Sequence, residues 1–204
     1  HVKPEQLGAS GQGFYNDAMV EHDGHVGALL EKLDELKIAD NTVLIFMTDN
    51  GTAGGNRVFD AGLRGSKGSE YEGGHRVPLF IRWPDGQLTG GKDIDKLVAA
   101  YDLLPTFVDV LGLDFNPVKP LDGISLKPLL YDTDENWPKR TLYIDTQRLQ
   151  NLVKYRKYSV MDDNWRFVNG TELYNMNDDL SQTKNVIEQH PEVVEKLAEG
   201  YERW

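Results

Sequence analysis

The residues with the clearest chemical potential are an acid and an amide, Asp49 and Asn50, which directly follow an apolar run over 42–48. Open α/β sheets bind their ligands at the carboxyl ends of strands, and carboxylate and amide oxygens suit hard cations such as Ca²⁺ or Mg²⁺. The position therefore predicts a divalent-cation site. On spacing alone, the commoner interpretation of Asp-Asn-Gly is a plain turn that closes a strand.

A second feature is a lysine in a glycine-rich loop, Lys67, which lies between Gly65 and Gly68. Glycines on both sides allow the backbone and the ammonium group to approach an anion closely. The alternative is a solvated loop lysine. A few residues later, Glu72 and Arg76 are well placed for a structural ion pair.

The histidines carry weaker signals. His22 and His25 lie in a predicted amphipathic helix, where a histidine is more often a surface or packing residue than a ligand. His75 is expected to shape its loop and not to bind a metal. The pattern itself therefore indicates Asp49, Asn50 and Lys67 as the candidate site.

The elements that position these residues follow from apolar periodicity. Apolar side chains at three- and four-residue spacing predict a helix over 14–36. The run 43–48 is typical of a strand buried on both faces in a parallel α/β sheet. The segment 51–74 is rich in glycine and charge and predicts a long functional loop. A second strand over 77–84 and a helix over 99–111 follow.

The pattern changes after Asp114. A linker with several prolines follows, and a final helix is predicted after Pro191. Short alternating stretches between them predict a small antiparallel sheet, with strands over 141–144, 158–161, 165–168 and 172–175. The predicted division is an α/β core fragment over 1–113, a linker over 114–140 and a small α+β subdomain over 141–204.

Composition excludes several classes of function. The 204 residues carry a formal net charge of -11, which repels polyanions and argues against nucleic acid as the partner. The chain has no cysteine, so it has no disulfide, zinc-thiolate site or cysteine nucleophile. No run of about 18 apolar residues is present to span a membrane. Any anionic substrate must therefore be held by local cationic side chains.

The order of the motifs resembles the second half of the type I sulfatases, which belong to the alkaline phosphatase superfamily. The resemblance rests on Thr48-Asp-Asn-Gly51, Gly65-Ser-Lys67 and Glu72-Gly-Gly-His-Arg-Val-Pro78, and continues through Asp102-Leu-Leu-Pro-Thr106, Leu121-Asp-Gly-Ile-Ser-Leu126, and the tail from Glu172-Leu-Tyr174 to Pro191-Glu-Val193. It implies an α/β fold, the C-terminal part of an alkaline-phosphatase-like α/β sandwich with a small antiparallel-sheet-plus-helix subdomain. Residues 1–113 would then belong to the catalytic core.

The resemblance also implies roles for individual residues. Asp49 and Asn50 would ligate Ca²⁺, or Mg²⁺ in some members. Lys67 would bind the sulfate and stabilise charge in the transition state. His1, in a His-x-x-Pro context, would be a second sulfate-binding and catalytic residue, provided that it is native to the chain. Arg148 would reach a sugar or acidic group of the substrate, and its alternative is an exposed arginine without a role.

The implied function is hydrolysis of a sulfuric ester by a formylglycine nucleophile, made from Cys or Ser in Cys/Ser-x-Pro-x-Arg. That motif and two further acidic metal ligands are expected in a preceding N-terminal part, so the chain alone is predicted to be inactive and metal-poor. The expected substrate is a sulfated small molecule or carbohydrate. The N-terminal half, or another chain, is expected to cover the exposed sheet. Because members of this family are commonly exported, the expected location is periplasmic or secreted.

Two alternatives stay open. A phosphodiesterase or phosphonate hydrolase of the same superfamily would use the same metal strand and anion-binding lysine. A non-catalytic binding or assembly module would use neither. The nucleophile motif upstream of the chain would separate these classes.

Overall fold

The computed structural model describes residues 2–133 and 137–204, which form two compact units. The first unit is the chain through Gly90 together with Thr146–Leu152 and Asp179–Lys184, and the remainder forms the second. The helices are α1 (Phe14–Glu35), α2 (Glu72–His75), α3 (Leu103–Val110), α4 (Lys127–Leu130) and α5 (Pro191–Arg203). The strands are β1 (Leu44–Met47), β2 (Leu79–Arg82), β3 (Leu142–Asp145), β4 (Tyr158–Met161), β5 (Trp165–Val168) and β6 (Glu172–Asn175).

In the first unit, β1 and β2 form a two-stranded antiparallel ribbon, with Leu44 opposite Arg82 and Met47 opposite Leu79. The prediction of a strand buried on both faces of a parallel sheet is wrong for the described residues. Phe46 on β1 is 36% exposed and its cross-strand partner Phe80 is 65% exposed. The physical reason is that an apolar run gains two-sided burial only from flanking strands and covering layers, and the described chain gives β1 a single neighbour.

Helix α1 confirms the predicted helix, but its apolar stripe is not buried. Met19, Val20 and Leu29 keep 44–53% of their surface exposed, and the buried residue of the helix is Asp17. The carboxylate of Asp17 accepts hydrogen bonds from the backbone N–H of Gly8 at 2.8 Å and from the backbone and side chain of Ser10 at 2.9 and 2.6 Å. These bonds hold the N-terminal segment on α1 and lower the pKa of Asp17.

In the second unit, β3 to β6 form an antiparallel sheet in sequence order, so the predicted strands are confirmed to within one residue. Helix α5 lies against β4 and β5, as predicted. Alternate side chains of the strands face this helix because successive residues of a strand point to opposite faces. They form an apolar core with the helix, consisting of Tyr158, Val160, Phe167, Leu173, Val186 and Leu197.

The start of α3 is fixed by a buried carboxylate. Asp102 has no exposed surface and accepts hydrogen bonds from the backbone N–H of Ala99 at 2.8 Å, from that of Ile124 at 3.0 Å, and from Arg140 at 2.7 Å. Part of the predicted linker over 114–140 is therefore ordered against α3.

Residues 134–136 lie outside the described residues, and the predicted domain boundaries remain a prediction. Within the part of the chain that the structure describes, no helix combines the length and apolarity needed to cross a bilayer.

Candidate functional site

The acid and amide at the end of β1 lie side by side. Asn50 donates a hydrogen bond from its amide nitrogen to the carboxylate of Asp49. Thr48 closes the same turn by donating from its hydroxyl to the carbonyl of Asn50 at 3.2 Å. Asp49 is exposed and Asn50 half-buried, so both side chains remain accessible at the carboxyl end of the strand.

A close backbone approach joins this turn to helix α2. The N–H of Gly51 donates to the carbonyl of Gly74 at 3.0 Å. A Cβ on Gly51 would collide with the carbonyl oxygen of Gly73, so the two segments lie this near each other only because residue 51 has no side chain. The turn that carries Asp49 is therefore held against the Glu72–His75 helix.

Lys67 lies in a loop whose backbone contacts the same turn. Its N–H donates to the carbonyl of Thr52 at 3.0 Å. Gly65 and Gly68 on either side adopt φ of +90° and +82°, a left-handed conformation that favours glycine. Thr52 is two residues from Asn50, and two residues of chain span at most about 7 Å. The structure thus brings the backbone of Lys67 next to the turn that carries Asp49 and Asn50.

The predicted ion pair between Glu72 and Arg76 is confirmed. The carboxylate of Glu72 is 2% exposed and accepts a hydrogen bond from Arg76 at 3.0 Å. His75 places Nε2 at 3.3 Å from the other carboxylate oxygen of Glu72, which agrees with its predicted loop-shaping role. The Nδ1 atom of His75 is buried and has no hydrogen-bond partner within the described residues.

Three residues of the site carried no signal in the sequence. Gln182 is fully buried, and its side-chain oxygen accepts the N–H of Glu72 at 2.7 Å. Arg64 donates to the carbonyl of Gln182 at 3.1 Å and to the hydroxyl of Tyr71 at 3.0 Å, with its guanidinium 3.8 Å from the centre of the Tyr71 ring. Arg64 and Tyr71 lie next to the recognised motifs, and no pattern in the sequence linked them to residue 182.

A recess of about 150 Å³ opens beside the turn and the lysine loop. The residues that line it include Thr52, Asn56, Phe59 and Arg76 and glycines of both segments. The side-chain oxygen of Asn56 is buried and has no hydrogen-bond partner within the described residues.

The remaining predicted residues are less well supported by contacts. Arg148 is exposed, in a segment that belongs to the first compact unit. His1 lies outside the described residues. On α1, His22 and His25 are exposed, with the ring of His22 at 6.1 Å from that of Phe46.

The oxygen donors of Asp49 and Asn50 are of the kind that a divalent cation binds, but two residues supply too few of them. Both carry hard oxygen donors, whereas Ca²⁺ takes six to eight oxygen ligands. Among residues 2–133 and 137–204, no group of three or more His, Cys, Asp or Glu side chains is placed to hold a metal ion. These two residues alone supply fewer oxygen ligands than Ca²⁺ takes.

Two family models match the chain. The model described as Sulfatase matches residues 13–113, and the model described as N-sulphoglucosamine sulphohydrolase, C-terminal, matches residues 65–203. Together they cover every candidate residue within the described chain. The overlap of the two models includes Lys67 and the Glu72–His75 helix.

Sequence relatives agree with these matches. The steryl-sulfatase of Rattus norvegicus is 34% identical over 141 residues, which are 63% of this chain and 24% of that protein. The N-acetylgalactosamine-6-O-sulfatase of Bacteroides thetaiotaomicron is 28% identical over 229 residues, which are 96% of this chain and 42% of that protein. The chain thus spans less than half the length of either relative.

A solved structure, that of Ps i-CgsB in complex with k-i-k-neocarrahexaose, has the same fold over this chain. The TM-score is 0.84 at 26% identity, with 100% of this chain and 46% of that chain covered. This likeness confirms the predicted fold class, the C-terminal part of an alkaline-phosphatase-like α/β sandwich with a small antiparallel-sheet-plus-helix subdomain.

Proposed function

The chain belongs to the sulfatase family, and we propose that it works as the C-terminal portion of an enzyme that hydrolyses sulfate esters of carbohydrates. One observation carries the proposal: backbone hydrogen bonds join the turn with Asp49 and Asn50 to the Lys67 loop, from Lys67 to Thr52, and to α2, from Gly51 to Gly74, both at 3.0 Å. The backbone of a cationic residue thus lies next to the turn that carries two hard oxygen donors, at the carboxyl end of β1. Sulfate ester hydrolysis needs both kinds of group.

The candidate site residues have two kinds of proposed task, sulfate binding and metal binding. The ammonium group of Lys67 binds the sulfate oxygens and stabilises the charge that develops as the S–O bond breaks. It is also a candidate donor of the proton to the leaving alcohol, a task shared with His1. Asp49 and Asn50 supply two oxygens toward a divalent cation, which when bound offsets negative charge on the sulfate. In the proposal, the formylglycine nucleophile and the remaining metal ligands come from an N-terminal part of the same enzyme.

The proposed substrate class is a sulfated carbohydrate. Support comes from the relative that is an N-acetylgalactosamine-6-O-sulfatase and from the structural neighbour in complex with a neocarrahexaose. Arg148 is proposed to contact the sugar, since it is exposed and its segment belongs to the same compact unit as Lys67. The net charge of -11 makes such local cations necessary for an anionic substrate.

The N-terminal portion of the sulfatase is the proposed partner of the exposed ribbon. The outer edges of β1 and β2 are unpaired within the described residues, and Phe46 and Phe80 are exposed. Unpaired strand edges and exposed aromatic side chains favour association with a further strand or layer. Because members of the family are commonly exported, a periplasmic or secreted location is proposed.

The test is a pair of lysine variants in the full-length sulfatase that contains this chain. Release of sulfate from N-acetylgalactosamine 6-sulfate and from 4-nitrophenyl sulfate is measured for Lys67→Ala and for Lys119→Ala, an exposed lysine in the 114–140 segment. Lys67→Ala is expected to lower kcat about 100-fold or more, because removing one charge-stabilising donor typically has that effect. Lys119→Ala should match the wild type.

Other outcomes would identify the alternatives. Turnover of a phosphodiester or phosphonate without turnover of any sulfate ester would assign the chain to another hydrolase of the superfamily. An inactive full-length enzyme would favour a binding module.

Calcium titration of the isolated chain by calorimetry should show no binding tighter than about 1 mM, because two protein ligands are too few.

A further inference from the structure

The segment Asp179–Lys184 holds a buried glutamine against the Lys67 loop. Gln182 has no exposed surface, and its side-chain oxygen accepts the N–H of Glu72 at 2.7 Å. Its backbone carbonyl accepts a hydrogen bond from Arg64 at 3.1 Å. One residue therefore contacts the chain both before and after Lys67.

These two contacts close the loop at its base. The carbonyl of Arg64 accepts the N–H of Gly73 at 2.8 Å, and the Arg64 guanidinium lies over the ring of Tyr71. The stretch 64–73 is thus closed by its own backbone hydrogen bond, and Gln182 contacts it near both ends, through the side chain of Arg64 and the N–H of Glu72. Within that stretch, the N–H of Lys67 is bonded to the carbonyl of Thr52.

The backbone of Gln182 is held in one conformation, although its side-chain nitrogen is buried without a hydrogen-bond partner within the described residues. It adopts φ of +51°, a conformation that a residue with a side chain rarely adopts and that persists only where neighbouring contacts impose it. Those contacts come from Asp179, whose carbonyl accepts the N–H of Gln182 at 3.1 Å and whose carboxylate accepts the N–H groups of Thr183 and Lys184 at 2.7 Å each. The turn is therefore a rigid support.

We propose that Gln182 is a positioning residue of the sulfate site, which fixes where Lys67 presents its ammonium group although it lies more than one hundred residues away in sequence. The inference rests on the proposed sulfatase function. It adds that the 179–184 turn sets the geometry of the sulfate-binding lysine. Gln182 acts through the loop and touches no substrate.

The test uses two variants of the full-length sulfatase. Gln182→Met keeps the length of the side chain and removes the acceptor. The matched control is Asn185→Leu, which removes another side-chain oxygen that accepts backbone N–H groups, those of Leu173 at 3.0 Å and Ile187 at 3.1 Å. Hydrogen exchange of the 64–74 amides, kcat and KM for 4-nitrophenyl sulfate, and Tm are measured for each.

Gln182→Met is expected to speed exchange at the amides of Lys67 and Gly73 and to lower kcat, each about tenfold, with a smaller change in KM. Asn185→Leu should lower Tm comparably and leave the loop and kcat unchanged. A purely structural Gln182 would instead give the same kcat in Gln182→Met and in the control, and that result, or unchanged loop exchange, overturns the proposal.

Failure of the proposed function gives a different pattern. A wild-type enzyme that turns over no sulfate ester overturns the sulfatase assignment, and with it the catalytic meaning of the loop. The exchange data then still decide whether Gln182 holds the 64–73 loop.

Discussion

The ion pair between Glu72 and Arg76 is asymmetric, and the asymmetry makes a sharp prediction. The side chain of Glu72 is 2% exposed, whereas that of Arg76 is 46% exposed. Removing the arginine leaves a carboxylate that is still buried and has lost a charge partner. Removing the charge of the glutamate leaves an arginine that already reaches water. Arg76→Met should therefore destabilise the fold more than Glu72→Gln.

The magnitudes follow from this exposure. Removing one partner of a fully buried pair destabilises by about 3–5 kcal/mol, and the exposure of Arg76 admits water and brings Arg76→Met to about 2–3 kcal/mol. Glu72→Gln keeps most hydrogen bonds and should cost about 1 kcal/mol. Since 1 kcal/mol corresponds to about 2–4 °C in Tm for a chain of this size, the expected losses are about 8 °C and about 3 °C.

The assay is urea and thermal unfolding followed by circular dichroism, with the double variant Arg76→Met/Glu72→Gln as the control. The double variant should be more stable than Arg76→Met alone by about 1 kcal/mol or more, because it no longer buries a carboxylate without its arginine. Equal or greater destabilisation by Glu72→Gln, or a double variant no more stable than Arg76→Met, would refute the reasoning.

Two further predictions concern the first compact unit. Gly51→Ala should destabilise by about 1–3 kcal/mol in urea unfolding, because its Cβ collides with the carbonyl of Gly73, whereas Gly27→Ala, with open space around it in α1, should stabilise by about 0.5–1 kcal/mol. Hydrogen bonds from Ser10 and Gly8 lower the pKa of Asp17. The Asp17 carboxylate therefore stabilises the fold above about pH 4, its ordinary range, and this contribution is lost as the pH falls through its folded pKa. The urea midpoint of Asp17→Asn should depend less on pH between 7 and 3 than that of the wild type, and an identical dependence would contradict this.

Local elements were predictable because their signals lie within a few neighbouring residues. The alternation at 158–161 and 165–168 predicted β4 and β5 with the bounds that the structure has. The three- and four-residue spacing over 14–36 predicted α1 to within one residue. Such patterns follow from the geometry of strands and helices and need no knowledge of distant chain.

Part of the site was predictable for the same reason. Asp49 and Asn50 were recognised by their position directly after a strand, and Glu72 with Arg76 by their place in one short motif. Their functional assignment needed the resemblance to sulfatases, since Asp-Asn-Gly alone also fits a turn. Whether they bind metal or sulfate remains a prediction.

The sequence by itself determined which segments become helices and strands and which short motifs carry acid, amide and lysine, because those properties depend on nearest neighbours. Only the tertiary structure decided that β1 pairs antiparallel with β2 while Phe46 stays exposed, and that Gln182 reaches Glu72. Such contacts join residues 32 to 110 positions apart. The spacing of residues along the chain does not determine these contacts. They depend on how distant segments of the backbone pack against each other and on which surfaces are then covered.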